Sequence, residues 1–341
     1  MKTILLVGNG FNYMVENWIN NLSNDLVKGM TGQNKDEITK NINEITKLWQ
    51  KFNEIFEEIK LKNPRLNDEE LIRIIYSVID LFSAMSGLEK IMGKEKLEQL
   101  KGLFDSLLLE KIKDIALEFK NHHESVGYKN IKKLFSDFGN NFNQILIDNN
   151  VDYIHIFTTN YDGILDTLLT NNPYGFIFHD GFGNIQDEKF LGFYEYNINF
   201  NKIICHIHGS YLYQKSFGKT FKLRENIENS DPVMIFNNPD FKEDIIKKDS
   251  VLLQYYEILE SDLKDADQLI IFGNSMINEP HIKNLIKQYG NREDLKILIF
   301  STNPDDVAEE LKEYYGFDIA RTNTRDFDST TKFLTEFQKI L

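Results

Sequence analysis

The sequence predicts an α/β protein built on a parallel sheet, on three grounds. Short, uninterrupted apolar runs recur, among them Thr3-Ile-Leu-Leu-Val7, Lys202-Ile-Ile-Cys-His-Ile207 and Lys296-Ile-Leu-Ile-Phe300; strands buried on both faces read this way. From residue 151 onward such runs alternate with helical patterns, as they do where helices cover both faces of a parallel sheet. The 341 residues are 41% hydrophobic and 13% aromatic, which supplies a real core and excludes global disorder.

The first strand, Thr3–Val7, is cut off by Gly8-Asn-Gly10. The pattern then turns helical through residues 15–150. Ile38, Ile42, Ile45, Leu48, Phe52, Ile55, Phe56 and Ile59 recur at three- and four-residue spacing, as do Leu71, Ile74, Ile75, Val78, Ile79 and Phe82. Pro64 and the start signal Asn67-Asp-Glu-Glu70 separate the two. Further helical stretches run from Glu95 to Phe119 and from Ile131 to Ile147. Strands follow at 153–158, 202–207, 268–272 and 296–300, with helical patterns at 161–169, 241–263, 281–289, 304–315 and 327–341. A lone first strand has nothing to pair with, so it belongs in the later sheet. The expected organisation is one α/β domain of residues 1–14 and 151–341, interrupted by a helical subdomain at 15–150. The numerous apolar stripes of that subdomain point to a regulatory role and to a homo-oligomer.

With 39 Lys and Arg against 53 Asp and Glu, the formal net charge is -14. That balance disfavours nucleic acid and anionic membranes as partners, which need clustered cations. An anionic small molecule stays open, because backbone N–H groups can hold it. The single cysteine, Cys205, excludes an internal disulfide and a Cys-rich zinc site. The opening apolar run is too short for a signal peptide, and no stretch reaches the roughly 20 apolar residues of a spanning helix; a cytoplasmic protein is expected.

Ligands of open parallel sheets bind at the carboxyl ends of the strands, and here all five ends are polar: Gly8-Asn9-Gly10-Phe11-Asn12, Thr158-Thr159-Asn160-Tyr161-Asp162, His206-Ile207-His208-Gly209-Ser210, Gly273-Asn274-Ser275 and Ser301-Thr302-Asn303. After a buried strand, Gly8-x-Gly10 lets the backbone approach a pyrophosphate, with free N–H donors expected at the next helix start. Tyr13 breaks the full G-x-G-x-x-G fingerprint and no acidic strand end follows, which disfavours a hydride-transferring dehydrogenase. Asn160 suits positioning a water or a hydroxyl, and also capping a helix; His208 suits a general base. At strand period His206 and His208 share a face, and Cys205 does not. No Glu or third His stands at ligand spacing to that pair, so no metal is expected. His155 reads as packed, His179 as a turn bordering the site, and His281 as capping a helix or facing the ligand.

Taken together, Thr159-Asn160-Tyr161-Asp162, His208-Gly209-Ser210, Gly273-Asn274-Ser275 and Asn303 resemble the sirtuin family. The opening Ile4-Leu-Leu-Val-Gly-Asn-Gly-Phe-Asn12 with Ile271-Phe-Gly-Asn-Ser275 is most similar to bacterial sirtuin-like and AbiH-type phage-defence proteins. The resemblance implies a Rossmann-like, sirtuin-type domain and NAD as substrate, cleaved at the nicotinamide–ribose bond. Asn160 would orient the attacking group and His208 would act as base. Gly8, Asn9, Gly10, Phe11, Asn12, Thr159, Asp162, Gly209, Gly273, Asn274, Ser275 and Asn303 would hold the dinucleotide. The chain departs from deacetylating sirtuins, which carry a four-Cys zinc ribbon and an Arg after the first loop. Water is then the implied acceptor, which makes an NAD glycohydrolase of antiviral, abortive-infection defence, switched on by a partner defence protein or a phage-derived trigger. A non-catalytic NAD or ADP-ribose sensor and a mono-ADP-ribosyl transferase are the alternatives.

Overall fold

The structure, a computed structural model, describes residues 1–40, 43, 68–84, 94–124, 126–170, 178–185, 190–193, 200–223, 231–236, 238–312 and 319–341. The expected helical pattern from Ile42 to Ile59 and the Pro64 break lie outside these. Strand β1 (Lys2–Val7) is followed by helices α1 (Gly10–Asn21), α2 (Asn24–Thr31), α3 (Asp68–Ala84), α4 (Lys94–Glu124), α5 (Val126–Leu134) and α6 (Phe138–Asp148). Strand β2 (Tyr153–Thr158) and α7 (Ile164–Thr170) come next, then β3 (Phe182–Ile185), β4 (Phe190–Phe193), β5 (Lys202–His206), β6 (Gly209–Ser216), β7 (Lys219–Leu223) and β8 (Asp231–Met234). The chain continues through α8 (Lys242–Lys247), α9 (Ser250–Leu263), β9 (Gln268–Phe272), α10 (Pro280–Leu285), β10 (Lys296–Ser301), α11 (Pro304–Leu311), β11 (Ala320–Asn323) and α12 (Thr330–Ile340).

Six strands form one all-parallel sheet in the order β11-β10-β9-β1-β2-β5. Numbered among themselves along the chain, they run 6-5-4-1-2-3, the doubly wound order of Rossmann-like folds. β1 lies at the centre, between β2 and β9, because five of its six residues are buried and need cover on both faces. On one face Leu5, Val7, Ile156 and Phe272 pack with Trp18, Phe138, Phe142, Phe333 and Phe337; on the other Ile4, Leu6, Phe157 and Ile271 pack with Leu252, Tyr255, Leu259 and Ile282. Trp18 and Phe138 therefore bring α1 and α6 into the sheet's own core, and Ile72, Ile115 and Ile131 of α3, α4 and α5 belong to the same cluster. No helix among the described residues is long and apolar enough to cross a membrane.

A second, antiparallel sheet, β3-β4-β7-β6-β8, falls in the stretch around β5. Four differences from the sequence reading stand out. This sheet and β11 were not expected, the 131–147 helix is broken after Leu134, and the 241–263 helix is broken at Lys248-Asp249. Asp249 supplies the reason for the last break: its carboxylate accepts from the N–H groups of Val251 and Leu252 and starts a new helix.

Candidate functional site

At the carboxyl ends of β1, β2, β5 and β9 the chain forms an open cleft of about 330 Å³. It lies where the strand order reverses, between β1 and β9, the place where open α/β sheets hold ligands. Its volume falls at the small end of the ligand-pocket range of roughly 300–1,000 Å³.

Gly8 and Asn9 after β1, Thr159, Asn160 and Tyr161 after β2, His208 after β5, and Gly273, Asn274 and Ser275 after β9 all line this cavity. Thr159 and Asn274 join the loops across the switch point, the Asn274 Nδ2 donating to Thr159 Oγ1 at 3.2 Å. Asn160 is 2% exposed. Its Nδ2 donates to the Gly8 carbonyl at 3.2 Å, while its Oδ1 is buried with no hydrogen-bond partner. An acceptor left open in a cavity wall is what a bound hydroxyl or water would complete.

Other expected ligand residues lie outside the cavity. Gly10 and Gly273 press on one another: a Cβ on Gly10 would stand 2.6 Å from the Gly273 Cα, and the Gly10 N–H donates to the Gly273 carbonyl at 2.8 Å. The N–H groups of Phe11 and Asn12 are likewise engaged, by the carbonyls of Gly8 and Asn9. The free donors expected at the α1 start are therefore taken in three places. Phe11 is a core side chain against Trp18 and Phe272. Asn12 donates to Asp162 at 2.6 Å, and the other Asp162 oxygen caps α7 through the Ile164 N–H. Gly209 is conformational: its φ is +82°, and a Cβ would stand 1.9 Å from the Val233 carbonyl oxygen. Asn303 precedes α11 and accepts from the Arg325 guanidinium at 3.2 Å. The fifth strand end does not reach the cavity.

His206 and His208 part company, because β5 stops at His206 and the chain turns through Ile207 into Gly209. His206 Nε2 pairs with Asp166 at 3.0 Å. Burial opposes charge on both groups, yet each outweighs it for the other: Asp166 is held down to about 2 and His206 is raised. His155 is packed against Asp262, at 2.7 Å. His179 stacks on Phe200 beside a second cavity. Cys205 is buried, and burial pushes its thiol well up, away from nucleophilic chemistry.

His208 instead meets two side chains at the start of α10, Glu279 just before the helix and His281 in its first turn. Its Nε2 is 3.1 Å from His281 Nε2 and 3.2 Å from Glu279 Oε2. Burial lowers both imidazoles below their ordinary value, which favours the neutral rings, each with one unprotonated nitrogen. Glu279 stays ionised against burial because the Lys242 ammonium, 3.4 Å from its Oε1, holds it low. Lys242 is raised in turn, Glu279 and Glu69 outweighing its burial. Glu69, on α3, reaches Lys242 at 2.9 Å. Phe236, Lys242, Glu69, Asn278 and Glu279 all line the cavity and none was expected from the sequence. Glu279 carried a weak signal, standing a few residues beyond a polar strand end; Lys242 and Glu69 carried none.

No protein-family model matches the sequence, and no curated protein matches it. The chemistry of the site therefore rests on its own residues: a carboxamide with an open acceptor, a neutral imidazole, and a buried Lys–Glu network beside them.

Proposed function

We propose that the protein is an NAD glycohydrolase of sirtuin-like type, with residues 15–150 as a helical insertion, that cleaves the nicotinamide–ribose bond and depletes NAD in antiviral, abortive-infection defence. The observation that carries this reading is the buried, unpartnered Oδ1 of Asn160 in the same cavity wall as His208. The residues fit the substrate in that respect: the open acceptor suits a ribose hydroxyl or the attacking water, and Gly8, Asn9, Asn274 and Ser275 offer polar loop surface to the rest of the dinucleotide.

In the reaction the bond from ribose C1′ to the pyridinium nitrogen breaks, and its electron pair neutralises the ring as nicotinamide leaves. Water adds to C1′ of the oxocarbenium-like ribose, and the proton it loses passes to His208, whose neutral imidazole has the lone pair to receive it. The acceptor is water, no protein deacetylation is expected, and no metal enters the steps.

The test is purified protein incubated with NAD, with nicotinamide and ADP-ribose measured by chromatography. Wild type releases both in equal amounts, and Asn160→Ala and His208→Ala each lose about 10²–10⁴-fold in rate. Release at the wild-type rate in both variants would overturn the site, and label transferred from NAD to protein would make the enzyme a transferase.

A further inference from the structure

We propose that His208, Glu279 and His281 form a site for a divalent transition metal of the zinc class, and that its occupancy silences the cavity. Three ligand atoms converge there, one from the turn after β5 and two from the start of α10. The edges of their triangle are 3.1 Å between the two Nε2 atoms, 3.2 Å from His208 Nε2 to Glu279 Oε2, and 3.7 Å from His281 Nε2 to the same oxygen. Zinc bonds of about 2.0–2.1 Å in tetrahedral geometry require ligand–ligand edges of about 3.3 Å. Two imidazoles and one carboxylate with a fourth position open is a donor set that zinc accepts. His208 and Glu279 line the cavity, so the open position is reachable.

Hydrogen bonding alone does not satisfy the triangle. If one ring proton is shared between the two Nε2 atoms, Glu279 Oε2 has no donor. If that proton turns to Oε2, the His281 Nε2 has none, since its own distance to Oε2 is 3.7 Å. Oε2 is in fact buried without a hydrogen bond. Charge also favours a dication: Lys242 contributes one positive charge, Glu69 and Glu279 two negative ones, and the imidazoles none. Lys242 occupies only Oε1 of Glu279, which orients the carboxylate and leaves Oε2 for the ion. His281 Nδ1 is buried without a partner; lacking the outer carboxylate or carbonyl that stiffens tight sites, this one binds about 10–100-fold more weakly than a site that has it.

The inhibitory half of the proposal rests on the NAD-cleavage reading. A metal on His208 Nε2 occupies the lone pair that the base needs. The experiment titrates the full chain with zinc chloride by calorimetry and with cobalt chloride by visible absorption, for wild type, Glu279→Gln and His281→Gln. Folding of each variant is checked by circular dichroism, and NAD cleavage is followed with added zinc and with EDTA. Wild type is expected to bind one ion per chain and to give cobalt bands of low coordination number. Each variant should bind at least about 10-fold more weakly. Zinc should suppress cleavage, EDTA should restore it, and His281→Gln should lose the zinc sensitivity. No stoichiometric binding by wild type, or equal binding by folded variants, overturns the site. Bound zinc with cleavage unchanged or faster overturns the inhibitory half. Cleavage absent from every sample overturns the NAD reading, and the two titrations then decide the metal site by themselves.

Discussion

Replacing Lys242 by methionine keeps most of the side chain's apolar stem and deletes its charge. The lysine side chain is 2% exposed, and its partners Glu69 and Glu279 are 12% and 11% exposed, at 2.9 and 3.4 Å. The variant leaves two carboxylates facing one another in a buried wall. Removing one partner of a buried ion pair costs about 3–5 kcal/mol. A ceiling follows from the alternative open to each carboxylate: taking up a proton at pH 7 from an ordinary value near 4.3 costs about 3.7 kcal/mol. Lys242→Met should therefore lose about 3–4 kcal/mol at pH 7, measured by urea denaturation. The sign with pH is set on both sides. Wild-type Glu279 is held low, so its stability is present above the ordinary carboxylate value and lost as pH falls through the folded one. In the variant, burial without the cation raises the carboxyls, and acid relieves them. The deficit should thus shrink by up to about 1.4 kcal/mol per pH unit between pH 7 and pH 5, and Lys242→Met with Glu279→Gln should recover part of it. A deficit under about 1 kcal/mol, or one indifferent to pH, would refute the reasoning.

Gly209→Ala should destabilise strongly, by more than the roughly 1–2 kcal/mol that a left-handed backbone alone costs a residue with a Cβ, because φ is +82° and the new methyl also meets the Val233 carbonyl; denaturation midpoints equal to wild type would show that β6 and β8 separate freely. For the Asp166–His206 pair, the depressed carboxyl gives stability lost as pH falls toward about 2, and the raised imidazole gives stability lost as pH climbs past its folded value. Asp166→Asn should therefore be most damaging near pH 5 and less so at pH 8.5, and the same loss at both would contradict the pairing. Trp18→Ala should cost about 3–5 kcal/mol, since the indole is 1% exposed and its N–H donates to the Phe327 carbonyl at 3.1 Å; a loss below 1 kcal/mol would mean that α1 is not fastened to the sheet.

The central strands were legible because burial on both faces writes an unbroken apolar run, as in Thr3–Val7 and Gln268–Phe272. The small sheet was not, because Lys219-Thr-Phe-Lys-Leu223 and Asp231-Pro-Val-Met234 bury little of themselves. β11, Ala-Arg-Thr-Asn, is an edge strand whose polar side chains mimic a loop. Periodicity carried the 131–147 helix across its break because Phe135 and Phe138 are both buried. At the site, Asn160 and His208 could be named from the rule that ligands gather at strand ends. Lys242 could not, since a buried lysine differs from a surface one only through partners such as Glu69, 173 positions away in the chain. The engagement of the donors at the α1 start was illegible for a related reason: nothing in Gly8-Asn-Gly10 says that the Gly273 carbonyl will take the Gly10 N–H.

The place of β1 sets a timetable for the chain's birth. Its neighbour β9 begins 265 positions after Thr3, as the pairing of Thr3 with Gln268 shows. At about 5–20 residues per second of synthesis, β1 waits roughly 13–53 s between leaving the ribosome and meeting the strand that completes its ladder. Throughout that time Ile4, Leu5, Leu6 and Val7, all buried in the finished sheet, are a sticky tag on a nascent chain. Until then its cover comes from α1 and α6 on one face, from β2 along one edge, and, last of these, from α9 on the other face. The keystone of this sheet is thus its first segment made, and it is flanked on both sides only once β9 has emerged, late in the chain, which ties the yield of folded chain to the speed of translation.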